Sequence, residues 1–156
     1  MNIKDKDIEF MRVSLALAKE AAQKGEIPVG AIVVDVNGKI ISRGYNLREN
    51  EKSAIAHAEV IAIEEACKQL GGWRLNGCTL YVTLEPCPMC AGAIVNSRID
   101  RVVFGAYDMQ AGCCGSVVNF NAYPFNHSFE ITGGVLELEC REVIAEFFAK
   151  KRKSTV

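Results

Sequence analysis

Short apolar runs alternating with helical patterns constrain this chain more than any other feature. Residues 29–34 (VGAIVV), 79–84 and 101–105 read as strands. Between them the spacing changes to that of helices. Residues 5–24 carry Ile8, Met11, Leu15 and Ala18 on one stripe, and Gly25 stops them. A second helix starts near His57 and runs to about Leu70, where Gly71-Gly72 end it. A third covers 88–97, with Pro86 opening it and Pro88 in a first turn that tolerates proline. Asn37-Gly38 marks a hairpin whose return strand is 39–45. A weaker strand near 129–131 and a helix over 137–150 complete the pattern. This alternation predicts an α/β fold of three layers, α/β/α, around a central mixed five-stranded sheet. The first two strands are antiparallel, and the later ones, joined by helices, run parallel. No repeat, low-complexity tract or linker interrupts the 156 residues, so a single domain over 1–156 is expected.

Composition narrows the classes. With 49% hydrophobic and 24% charged residues the chain is an ordinary globular mix. A net charge of −1 gives no global attraction to nucleic acid, so any RNA surface must come from local clustering of basic residues. No apolar run is long enough to span a bilayer, and MNIKDKDIEF lacks the apolar core of a signal peptide, so the expected location is the cytoplasm, with no membrane partner. Seven cysteines, an odd count without a secretion signal, argue against a disulfide framework. A close cysteine pair in a reducing compartment points to a metal or redox site. The sequon at Asn126-His127-Ser128 carries no weight there.

Two segments concentrate the chemistry: His57-Ala58-Glu59 and Pro86-Cys87-Pro88-Met89-Cys90. Cys87 and Cys90 are three apart, hence on one face of a first helical turn, where the positive helix end favours thiolates. Two thiolates and a neutral imidazole make a three-ligand zinc shell with a fourth position open to water, as catalytic sites require. Water so bound loses its proton near neutral pH. His57 and Glu59 are two apart and do not share a helix face, so both reach one site only if His57 sits in the turn before regular helix begins. Glu59 then fits a proton shuttle rather than a fourth ligand. A redox Cys-x-x-Cys would leave His57 and Glu59 without a purpose, and a zinc ribbon needs a second spaced pair, which adjacent Cys113-Cys114 do not supply. A non-catalytic zinc-stabilised RNA-binding or partner protein would not need Glu59.

The His-x-Glu and Pro-Cys-x-x-Cys combination is the general signature of zinc deaminases. From about Ala16 to Arg152 the chain resembles, more closely, the bacterial tRNA-specific adenosine deaminases of the cytidine and deoxycytidylate deaminase superfamily. The resemblance rests on Ile27-Pro28-Val29-Gly30-Ala31, Ala56-His57-Ala58-Glu59, residues 80–92 (LYVTLEPCPMCAG), Ser97-Arg98-Ile99, residues 102–106 and Phe125-Asn126-His127. It implies a cytidine deaminase-like fold, one zinc ion per chain, a homodimer, and conversion of the wobble adenosine of a tRNA anticodon stem-loop to inosine. Asn46 matches an asparagine that hydrogen-bonds the target nucleoside. Ile27, Pro28 and Val29 match an apolar wall against the base, and Asp108 and Asn126 match positions that contact neighbouring nucleotides. Asp108-Met109-Gln110 departs from the family in lacking the lysine usual after this aspartate, and the loop 47–53 has neither glycine nor proline.

The same zinc kit also serves deaminases of a free base or nucleoside, such as cytosine, cytidine or guanine. The basic run Lys150-Lys151-Arg152-Lys153 beside Phe147-Phe148 suits phosphate contacts and equally suits a helix C-terminus complementing its dipole. His127 reads as a surface group or a backbone hydrogen-bonding group. Cys67, Cys78 and Cys140 read as core thiols. Cys113 and Cys114 read as small residues in a tight loop, and Trp73 reads as cover for the core edge.

Overall fold

The computed structural model describes residues 2–154. Among them are helix α1 (Ile3–Gln23), strands β1 (Gly30–Val34) and β2 (Ile40–Tyr45), helix α2 (Ala58–Leu70), strand β3 (Thr79–Leu84), helix α3 (Pro88–Ser97), strand β4 (Arg101–Ala106), a short 3-10 turn (Phe120–Ala122), strand β5 (Glu130–Thr132) and helix α4 (Glu137–Ser154). The sheet order is β2-β1-β3-β4-β5. β1 pairs antiparallel with β2 and β3, whereas β3–β4 and β4–β5 are parallel. The expected three-layer fold with a mixed five-stranded sheet is therefore present.

Alternation along the strands feeds two cores. Ala31, Val33, Leu80, Val82, Val102 and Phe104 point to one face, where Ala62, Ala66 and Ile94 of α2 and α3 cover them. Ile32, Val34, Tyr81 and Val103 point to the other, under Met11, Leu15 and Leu17 of α1 and Cys140 of α4. Gly44 lets α2 lie close on the sheet, because a Cβ there would come within 2.7 Å of the Ala58 carbonyl oxygen and 2.9 Å of the Ala62 amide nitrogen. That contact fixes the N-terminus of α2, where His57 and Glu59 sit.

The first helix differs from its expected stripe. Ile8 is 38% exposed while Asp7 is buried. Hydrophobic spacing alone places Ile8 inward, but the Arg101 guanidinium grips both Asp7 oxygens, at 2.9 and 2.7 Å, and the Tyr81 hydroxyl donates to Asp7 Oδ1 at 2.8 Å. This ion pair turns the buried face toward residue 7. The last helix runs past residue 150, so the basic run is helical and Lys150–Lys153 lie exposed on it. Trp73 is 51% exposed, with the Arg74 and Arg98 guanidinium groups over its ring, and covers little core. No described helix is long and apolar enough to cross a membrane.

Candidate functional site

Strand polarity gathers the chemistry at one edge of the sheet. β1 runs opposite to β3, so the entry to β1, the exit of β2 and the exits of β3 and β4 share that edge. Ile27–Val29 precede β1, Asn46 follows β2, Glu85–Cys87 follow β3 and Asp108 follows β4. Carboxyl ends of parallel strands are the usual place for a ligand crevice in open α/β sheets.

His57 caps α2 with an extended backbone (φ −80, ψ 151) and its side chain makes no capping bond, which leaves the imidazole available to the site. Cys87 caps α3 in the same manner (φ −77, ψ 176), again without a side-chain cap. His57 Nδ1 lies 3.7 Å from Cys87 Sγ and 3.6 Å from Cys90 Sγ. The three donor atoms fall within 4.8 Å of one another. Tetrahedral zinc, with Zn–S near 2.3 Å and Zn–N near 2.0–2.1 Å, sets adjacent N and S donors roughly 3.6 Å apart. The donor set and its spacing therefore fit zinc. His57 stands in the turn before the helix, as the spacing to Glu59 required.

The electrostatics agree with a cation site. A hydrogen bond from the Cys90 thiol, with help from His57, lowers the Cys87 thiol to about 4. The same bond to Cys87, together with burial, raises Cys90. The Cys87 sulfur raises His57 above its ordinary value. Burial pushes Glu59 up to about 7, against the opposing pull of its own amide. Three of these groups share protons that a divalent cation would displace.

A cleft of about 180 Å³ adjoins the cluster, lined by Ile27, Val29, Asn46, Arg48, His57, Glu59, Leu84, Glu85, Cys87, Asp108 and Ala111. The structure thus brings His57, Glu59 and Cys87 together with Asn46, Ile27, Val29 and Asp108, while Cys90 completes the cluster from behind. Pro28 is buried and Asn126 is exposed, and neither lines the cleft. Asn46 donates Nδ2–H to the Ile27 carbonyl at 3.0 Å and accepts the Ala58 amide at 2.8 Å. It ties the entry of β1 to the start of α2, a role that residue type alone did not reveal. Arg48, Leu84, Glu85 and Ala111 line the cleft without having been singled out as site residues; Glu85 stood in the motif, and a charged residue inside an apolar strand-to-helix junction was the available signal.

The remaining expectations find places too. His127 Nε2 lies 2.7 Å from the Ile99 carbonyl oxygen, a backbone partner. Cys78 and Cys140 are buried, Cys67 is half-buried, and Cys113 and Cys114 are buried in their turn. All seven cysteines are free thiols.

Comparison with known proteins agrees with this geometry. Residues 4–106 match the family described as the cytidine and deoxycytidylate deaminase zinc-binding region. The chain is 54% identical over 145 residues to a tRNA-specific adenosine deaminase of Bacillus subtilis, covering 92% of this chain and 89% of that one. A structure from work on A-to-I editing by tRNA:A34 deaminases at the wobble position of transfer RNA superposes with a TM-score of 0.84 at 40% identity, covering 86% of this chain and 98% of that one. The guanine deaminase of Bacillus subtilis superposes with a TM-score of 0.62 at 41% identity, covering 69% of this chain and 66% of that one.

Proposed function

Since the chain belongs to the cytidine and deoxycytidylate deaminase family, among its tRNA-specific adenosine deaminases, we propose that it converts the wobble adenosine of a tRNA anticodon loop to inosine by hydrolysis. One observation carries the reading: a zinc-spaced His57, Cys87 and Cys90 cluster opens onto a cleft that also holds a buried carboxyl, Glu59. The unit is one catalytic domain spanning residues 1–156.

His57, Cys87 and Cys90 would hold one zinc ion per chain. When bound, the ion acts as a Lewis acid that makes water a nucleophile at neutral pH. Glu59 takes one proton of the attacking water and delivers it to N1 as the oxygen adds to C6, then carries the second proton, from the new C6 hydroxyl, to the amine nitrogen. The C6–N bond breaks, ammonia leaves and the ring keeps a carbonyl oxygen. Glu59, buried at the cleft beside the donor cluster, is placed to accept and return protons. Asn46 has a second Nδ2 hydrogen beyond the one given to Ile27, and that hydrogen serves the nucleoside. Ile27, Pro28 and Val29 form the apolar flank against the base, with Pro28 acting from behind its neighbours. Asp108 and Asn126 contact neighbouring nucleotides, Asn126 from the open surface.

At about 180 Å³ the cleft is smaller than the roughly 300–1,000 Å³ of drug-sized ligand pockets. It suits one ring system, with the rest of the substrate outside, as for a base turned out of a loop. The enzyme works as a homodimer. Supporting this, Trp73, 51% exposed, lines with Val60, Ile63, Cys67 and Ala93 the apolar part of a groove that Glu64, Asn96 and Ser97 complete. Seven free thiols suit the reducing cytoplasm.

The second reading is deamination of a free base, favoured by the likeness to guanine deaminase. Incubation with an anticodon stem-loop, with total tRNA, and with free guanine, cytosine and cytidine separates the two. Inosine at the wobble position is expected. Ammonia from a free base, with an unchanged stem-loop, overturns the RNA reading.

A further inference from the structure

Besides Asp7, which is paired with Arg101, two carboxylates outside the reaction chemistry are almost fully buried among the described residues: Glu26 and Glu85, each 1% exposed. Burying a carboxylate is costly unless hydrogen bonds replace its water. Each of these is satisfied by a different loop that reaches the active-site cleft. Glu85 Oε1 accepts the Asp108 amide at 3.1 Å and the Ser116 hydroxyl. Its Oε2 accepts the amides of Cys114 at 3.0 Å and Ser116 at 3.1 Å. On the other side, Glu26 Oε1 accepts the Glu49 amide at 3.1 Å. Its Oε2 accepts the Asn50 amide at 2.8 Å and the Asn50 side chain at 2.6 Å.

The two loops held in this way supply Arg48 on one side of the cleft and Asp108 and Ala111 on the other. Loop amides at a surface are ordinarily satisfied by water. Here they turn inward onto one anion apiece. Gly112 records how close the second loop is drawn, since a Cβ there would overlap the Glu85 carboxyl carbon.

We propose that Glu26 and Glu85 are paired positioning residues that set the two walls of the cleft, a role resting on the reading of this cleft as the seat of one RNA base. Glu85 couples the wall carrying Asp108 to the strand end that bears Cys87. Glu26 couples the wall carrying Arg48 to the segment that bears Ile27. The walls are thereby preorganised before substrate arrives.

The test uses full-length, zinc-loaded protein with Glu85→Gln and Glu26→Gln. A glutamine amide replaces one acceptor oxygen by a donor, and in either orientation that donor faces a backbone N–H. Zinc content, amide hydrogen exchange, and KM and kcat on an anticodon stem-loop are measured. Each variant is expected to keep one zinc. Exchange should rise at residues 108, 114 and 116 for Glu85→Gln and at 49 and 50 for Glu26→Gln, with β3 unchanged. KM should rise roughly tenfold, with kcat falling by less. Unchanged exchange at those amides, uniformly faster exchange across the sheet, or a fall in kcat at constant KM would each overturn the proposal. Should either variant not fold, Ser116→Ala and Asn50→Ala remove one bond to each carboxylate and give the same pattern at smaller amplitude. If the wild-type protein leaves the stem-loop unmodified, the RNA reading fails, while the exchange pattern still decides whether the carboxylates hold the walls.

Discussion

At the residue scale, Glu59 is held under tension between solvation and chemistry. Its carboxyl is buried and raised to about 7. A carboxyl whose folded pKa lies above its unfolded value favours the fold at low pH, and that advantage is lost as pH rises through the folded value. In chelator-stripped protein, Glu59 therefore destabilises the fold above pH 7 by on the order of 3 kcal/mol. Glu59→Gln should abolish turnover and retain zinc. In the stripped state it should also raise the melting temperature, and by more at pH 8 than at pH 5. Full activity in that variant would remove the proton-transfer role, and an equal gain at both pH values would remove the titration argument. Cys87→Ala should lose zinc together with activity, read by metal analysis; stoichiometric zinc in that variant would contradict its place as a ligand. That His57, Glu59, Cys87 and Cys90 would meet was legible from residue type and spacing, because metal ligation and proton transfer demand particular side chains. Glu26 was not, because a glutamate clamped by backbone amides looks in sequence like any surface glutamate; Glu85 offered only its place in an apolar strand-to-helix junction, which does not say what it binds.

At the scale of elements, apolar periodicity located β3 and α3 at their observed bounds and placed β1, β2, β4 and β5 within a residue or so. It failed where a charge is buried. The Asp7–Arg101 pair, at 2.7 Å with side chains 5% and 15% exposed, joins α1 to the sheet and overrides the stripe through Ile8. Such pairs need partners far apart in sequence, here Asp7, Tyr81 and Arg101, which no local pattern shows. Removing one partner leaves a buried charge unpaired. Asp7→Ala should cost roughly 3–5 kcal/mol by denaturant melting, with zinc content and KM unaltered. A cost below about 1 kcal/mol would mean the pair behaves as a surface contact. The helix α2 sits on Gly44 with no room for a Cβ, so Gly44→Ala should cost about 1–3 kcal/mol and displace the His57 end of that helix, lowering zinc affinity as well as stability. A loss of stability at wild-type zinc affinity would show that the α2 start is anchored elsewhere, by Asn46 for example.

For the whole molecule, the net charge of −1 gives no global pull on nucleic acid, and the exposed Lys150–Lys153 turn of α4 concentrates basic charge locally. The proposed dimer draws on apolar surface in place of charge. Trp73→Glu puts a carboxylate beside the groove of Val60, Ile63, Cys67 and Ala93. Sedimentation should show it as a monomer; a persistent dimer would assign the interface to a different face. The fold class followed from the strand and helix order, whereas the surfaces that meet a partner did not, since exposure of Trp73 depends on how α2 and α3 end.

His57 and Cys87 stand 30 residues apart, and each is delivered by a separate strand or helix terminus. An ion bound by both would close a long loop across β3, so its uptake would reward only a chain whose sheet has already assembled. Retained metal becomes a gauge of correct strand pairing, and its escape on warming should precede the collapse of helical signal.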